Sequence, residues 1–237
     1  MECKLTHDPI FRCAGLLLVL LLCCDLAFFA VHSANELFRP VPNPLLNISK
    51  DKSYPEVFQY LKFFWIIILQ VFIAIKHSWF SMISWILFFS YLLVDDSMRL
   101  HEDYGRGLAE RFGFQPRFGL RAKDFGELCI SAGSGIVLSG ALTWGWLSGN
   151  QHFRTLSRDL FMLMGLLILF GVGFDAIHTM LDYGWWSSFI FGALEDGGEM
   201  LTVSLILWHM FRVAASGAMG NTCLWDEIRI RRASGKA

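Results

Sequence analysis

Apolar residues along this chain come in long, nearly unbroken blocks separated by short polar stretches, a pattern that predicts membrane-spanning helices. The blocks fall at about 13–32, 58–75, 79–97, 128–146, 160–181 and 187–213. They predict an all-α integral membrane bundle of about six transmembrane helices, formed as a single unit over residues 1–237.

The first block reads AGLLLVLLLCC, then Asp25, then LAFFAV. Ser33 and Ala34 make a mediocre processing site and Asp25 interrupts the apolar run, so a retained helix is expected rather than a cleaved signal. Pro40, Pro42, Pro44 and Pro55 exclude a continuous helix through the next, polar stretch. Lys76-His77-Ser78 forms a tight turn between the second and third blocks. From Met98 to Lys123 the chain is polar and carries Gly105, Gly107, Gly113 and Pro116, which predict a loop lying on the membrane interface. In the fourth block Ser131, Gly135 and Ser139 recur every four residues. Small residues at that spacing let helix backbones approach, so this face is expected to pack, and it offers a contact for a membrane-protein partner.

Composition agrees with lipid as the main solvent: 54% of the 237 residues are hydrophobic and 17% charged, with a mean hydropathy of +0.46. The formal net charge is −1 and the basic residues are scattered, which excludes a nucleic-acid footprint. The cysteines form no CxxC pair, so they set no metal site or redox compartment. An even number of crossings places both termini on one side. Arg212, Arg229, Arg231, Arg232 and Lys236 lean that side toward the cytoplasm of a bacterial inner membrane, while Arg99, Arg106, Arg111, Arg117 and Arg121 argue the other way.

Charges at or inside spanning helices cost several kcal/mol unless paired or used, so their placement is informative. Helix three ends in Asp95-Asp96 followed by His101-Glu102, helix five in Asp175, His178 and Asp182, and helix six opens with Glu195-Asp196-Gly-Gly-Glu199. Alternating crossings bring all three clusters to one membrane face, together with Asp124, Glu127, Asp25 and His32. Within each helix, spacings of three, four or seven put the side chains on a shared face. His101 joins only if the helix ends or bends near Arg99. His77, His152 and His209 fall toward the opposite surface and read as interfacial.

Carboxylates and imidazoles drawn from several bundle helices are the parts that hold a divalent metal such as iron, zinc or manganese. The expected ligand set is therefore Asp95, Asp96, His101, Glu102, Asp175, His178, Asp182, Glu195, Asp196 and Glu199. Such an ion would serve a hydrolase or oxidase acting on a lipid-soluble substrate. The alternatives are a proton- or ion-coupled transporter and an accessory subunit of a membrane complex.

The pair Asp95-Asp96 with His101-Glu102, and the later run Glu195-Asp196-Gly-Gly-Glu199-Met200, resemble uncharacterised bacterial multipass membrane proteins that carry the same two motifs. The resemblance implies a membrane bundle and no activity. Alkaline ceramidase-type hydrolases, similar in size, differ in having paired histidines at their last motif, which this chain lacks.

Overall fold

The computed structural model describes residues 9–38, 43–117, 121–174, 177 and 184–216, and its regular elements are helical. They are α1 Pro9–Phe38, α2 Tyr54–His77, α3 Ile83–Met98, α4 Leu100–Phe112, α5 Ala122–Ser148, α6 Gln151–Ile168 and α7 Trp185–Ala215. A short 3-10 turn, Phe80–Met82, leads into α3, and a π-helical turn, Leu169–Phe174, continues α6.

Among the described residues, five segments are long and apolar enough to cross a bilayer: Ile10–Phe38, Tyr54–His77, Phe80–Met98, Ala122–Ser148 and Gln151–Phe174. Their outer faces are apolar and exposed, as Leu16, Val19, Leu20 and Leu26 on α1 and Ile136 and Val137 on α5 illustrate. Water would penalise such a surface and lipid does not.

The sixth long helix, α7, differs in kind. Glu195, Asp196, Glu199 and Arg212 lower its hydropathy, yet it has 31 residues and a length of roughly 46 Å. It runs parallel to α2 through the same depth: Gln59 Nε2 donates to Glu199 Oε2 at 3.3 Å near one end, and Lys76 Nζ donates to the Ala214 carbonyl at 3.1 Å near the other. α7 tolerates polar residues because α1, α2 and α6 pack around it. Its Val203, Ile206, Leu207 and Met210 are buried against Ile66 and Ile73 of α2 and Leu160 and Leu163 of α6 in one apolar core.

Local chemistry explains most helix ends. Ser78 takes a left-handed conformation (φ 53°) that stops α2. Arg99 does the same (φ 55°) between α3 and α4, so the helix breaks where His101 needs it to. Asn150 caps α6 by accepting from the Phe153 amide at 2.9 Å.

Several expectations are corrected. The stretch Met98–Lys123 is no loop: it contains α4, and two of its glycines act differently from one another. Gly113 ends the helix at φ 63°. Gly105 instead packs backbone to backbone on Gly126 of α5, where a Cβ at Gly105 would lie 2.5 Å from the Glu127 amide nitrogen. On α5, Gly135 has nothing within 4 Å of where a Cβ would stand among the described residues, whereas Gly126 packs closely on Gly105 and Gly145 on Ser84. α6 begins at Gln151, well before the apolar block, because Arg154, Arg158 and Asp159 lie in its early turns. His209 is not interfacial but fully buried, with Nε2 3.5 Å from Asp159 Oδ2. Asp25 is not near the end of α1 but buried in its middle.

Candidate functional site

The end of α3, the π-helical turn after α6, the starts of α2, α4 and α5 and the middle of α7 line an open cavity of about 510 Å³. Six of the ten side chains selected from sequence line it: Asp96, His101, Glu102, Glu195, Asp196 and Glu199. Asp95 stands behind His101. Its Oδ1 accepts from the His101 backbone amide at 2.9 Å, capping the first turn of α4, and its Oδ2 lies 3.0 Å from His101 Nδ1. Asp175, His178 and Asp182 lie outside the described residues.

The structure adds wall residues that sequence reasoning passed over, Asp51, Glu56 and Gln59, and it places Asp124 and Glu127 there as the crossing argument requires. Among the described residues, nine carboxylates in the lining face four permanent cations, Lys50, Arg99, Arg121 and Lys123. Much of this charge is paired locally. Arg99 bridges Glu102 and Asp51, the latter at 2.7 Å; Arg121 holds Asp124 at 3.0 Å; Lys123 reaches Glu127 at 3.4 Å. The Ser49 hydroxyl donates to Asp196. The exception is Asp96, whose Oδ2 is buried without a hydrogen-bond partner among the described residues.

Outside the spanning segments the electrostatics follow from these pairs. The hydrogen bond to Asp95 holds the His101 imidazole above its usual value, against the opposing effect of burial. The Arg99 guanidinium holds Glu102 below the usual carboxylate range, and Glu102 in turn raises Arg99.

On the α6 side, the π-helical turn presses against α7. A Cβ at Gly171 would overlap the Glu199 carboxylate, and one at Gly198 would overlap the Phe170 ring. Two glycines thus let the turn sit directly against the acid. Among the described residues no three His, Cys, Asp or Glu side chains converge on one point as metal ligands; the acids surround a space instead.

Sequence reasoning also missed a buried ion pair. Lys62 Nζ donates to Asp25 Oδ1 at 2.9 Å, to the Met200 carbonyl at 2.9 Å and to Ser204 Oγ at 3.2 Å. The signal was present: Lys62 and Asp25 each interrupt an apolar run, on neighbouring helices, with opposite charge.

Fold and site together define a multipass α-helical membrane protein with an acidic cavity at one end of its bundle. Residues 14–215 match the family described as a domain of unknown function (DUF8692), and the chain belongs to that family. Neither the curated proteins nor the solved structures yield a match.

Proposed function

We propose that the chain is a membrane protein that binds a divalent cation, in hydrated form, in the acidic cavity. The observation that carries this reading is the excess of carboxylates around one cavity, with Asp96 Oδ2 buried and without a partner among the described residues. Such a group takes up either a proton or a cation. A hydrated ion suits donors that surround a cavity better than a bare ion does, because an ion that keeps several waters needs few direct protein ligands. The hydrolytic and oxidative alternatives need a ligand set fixed on one point, which the cation reading does not. With both termini cytoplasmic, the cavity opens to the outer face of the membrane.

The test is Mn²⁺ binding to the full chain in mild detergent, measured by the loss of the free-ion electron paramagnetic resonance signal. Saturable binding is expected, weakened in Asp96→Asn and in Glu199→Gln. No saturable binding by the wild type, or equal binding in all three proteins, ends the proposal.

A further inference from the structure

The buried cluster of Asp25, Lys62 and Ser204 has no role in the cavity itself. Lys62 is fully buried on α2, and all three N–H bonds of its ammonium have acceptors: the Asp25 carboxylate, the Met200 carbonyl and the Ser204 hydroxyl. Ser204 in turn donates to Asp25 Oδ2 at 2.6 Å, and the Phe58 ring centroid lies 5.0 Å from the ammonium. This is the geometry of a protonated lysine.

A helix staple would explain the contacts but not the choice of residues, because well-packed apolar side chains hold helices at least as well as a buried ion pair. The location says more. Met200, whose carbonyl accepts from Lys62, itself lines the cavity, and the adjacent Glu199 is bonded to Gln59, one turn before Lys62 on α2. Charge arriving at Glu199 is therefore one helical turn from the ammonium, in a medium where repulsion is weakly screened. Buried polar groups continue toward the other surface. Gln70, three turns beyond Gln59 on the same face of α2, has both side-chain polar atoms buried without partners among the described residues, and His209 lies beside Asp159.

We propose that the Asp25–Lys62–Ser204 cluster is a proton-binding site that gives up its proton when the cavity takes up a cation, so that the protein exchanges a divalent cation for a proton. This rests on the cation-binding reading above. The proton leaves Lys62 Nζ for water in the cavity and the bonding pair stays on nitrogen. The Ser204 hydroxyl then turns from Asp25 Oδ2 to donate to the neutral amine. Release of the cation on the opposite side lets the amine take a proton from that side, and Ser204 turns back to Asp25 Oδ2. The charged groups that set this equilibrium are Asp25 on α1 and Glu199 on α7, with the Cys24 thiol adjoining.

The experiment uses the full chain in phosphatidylethanolamine/phosphatidylglycerol vesicles loaded with a pH-sensitive dye, with the membrane potential clamped by K⁺ and valinomycin. Adding MnCl₂ outside is expected to make the lumen alkaline in wild-type vesicles. The double variant Asp25→Asn/Lys62→Met should fall to the rate of protein-free vesicles while still binding Mn²⁺ in detergent. Ser204→Ala, which keeps both charges, should bind Mn²⁺ normally and exchange more slowly. Mn²⁺ binding without any lumenal pH change, or equal rates in the wild type and Ser204→Ala, overturns the exchange and leaves the cation site standing. Absence of Mn²⁺ binding by the wild type overturns both.

Discussion

The cavity and the bundle interior use the same side chains to opposite effect. At the cavity, Arg99 and Asp51 pair at 2.7 Å with side chains 36% and 49% exposed, and water shares the work of solvating them. A few turns deeper, Lys62 and Asp25 pair at 2.9 Å with exposures of 0% and 3%, and each is the other's main solvent. The difference teaches that the number of charges in a region says little about how much rests on each one. The cavity holds many replaceable partners, whereas Lys62 and Asp25 each depend on the other for countercharge.

The strongest way to break this comparison is to orphan one charge. Asp25→Ala leaves a buried ammonium without its counter-ion and is expected to cost roughly 3–5 kcal/mol. In the double variant Asp25→Asn/Lys62→Met, stability should return most of the way. Thermal unfolding in detergent checks both, and equal losses in the single and double variants would show that packing rather than charge governs the site.

An intermediate effect is expected at His101, half-way between the two regimes. Its imidazole is raised in the folded protein by Asp95, so the pair stabilises the fold fully below the unfolded value of about 6.5 and loses that contribution as pH rises through the higher folded value. Melting temperature measured from acid to alkaline pH should fall across that window in the wild type. Asp95→Asn should flatten the fall, with Glu102 and Glu127 supplying a residual slope. An unchanged profile would detach His101 from Asp95.

The smallest effect belongs to the rim. Asp51→Ala should cost less than about 1 kcal/mol, and the cost should shrink further in high salt. A loss as large as that of Asp25→Ala would erase the contrast between the two regions.

How much of this was legible in the sequence depends on which force set each feature. The spans were legible because lipid selects for composition alone, and the one-sided gathering of Asp96, Glu102, Glu195 and Glu199 came from counting crossings. The features that escaped were set by neighbours. α4 hid because Gly105 reads as a helix breaker, and only the opposing Gly126 reveals it as a contact. α6 started late on hydropathy because nothing in the sequence says that Asp159 has His209 to face. Lys62 was absorbed into an apolar block, although its pairing with Asp25 is one that the antiparallel order of α1 and α2 would bring together.

The wide turn at Leu169–Phe174 carries one residue more than an α-helical path of the same length. Removing Gly171 there would let the backbone relax to the tighter coil while the residues beyond it keep their facing, because the wide turn is what absorbs the extra residue. A bulkier neighbour, Phe170 or Val172, would then be left to stand against Glu199. Two members of this family that differ by one residue at that point would look alike in every hydropathy plot, yet their acidic chambers would have different walls.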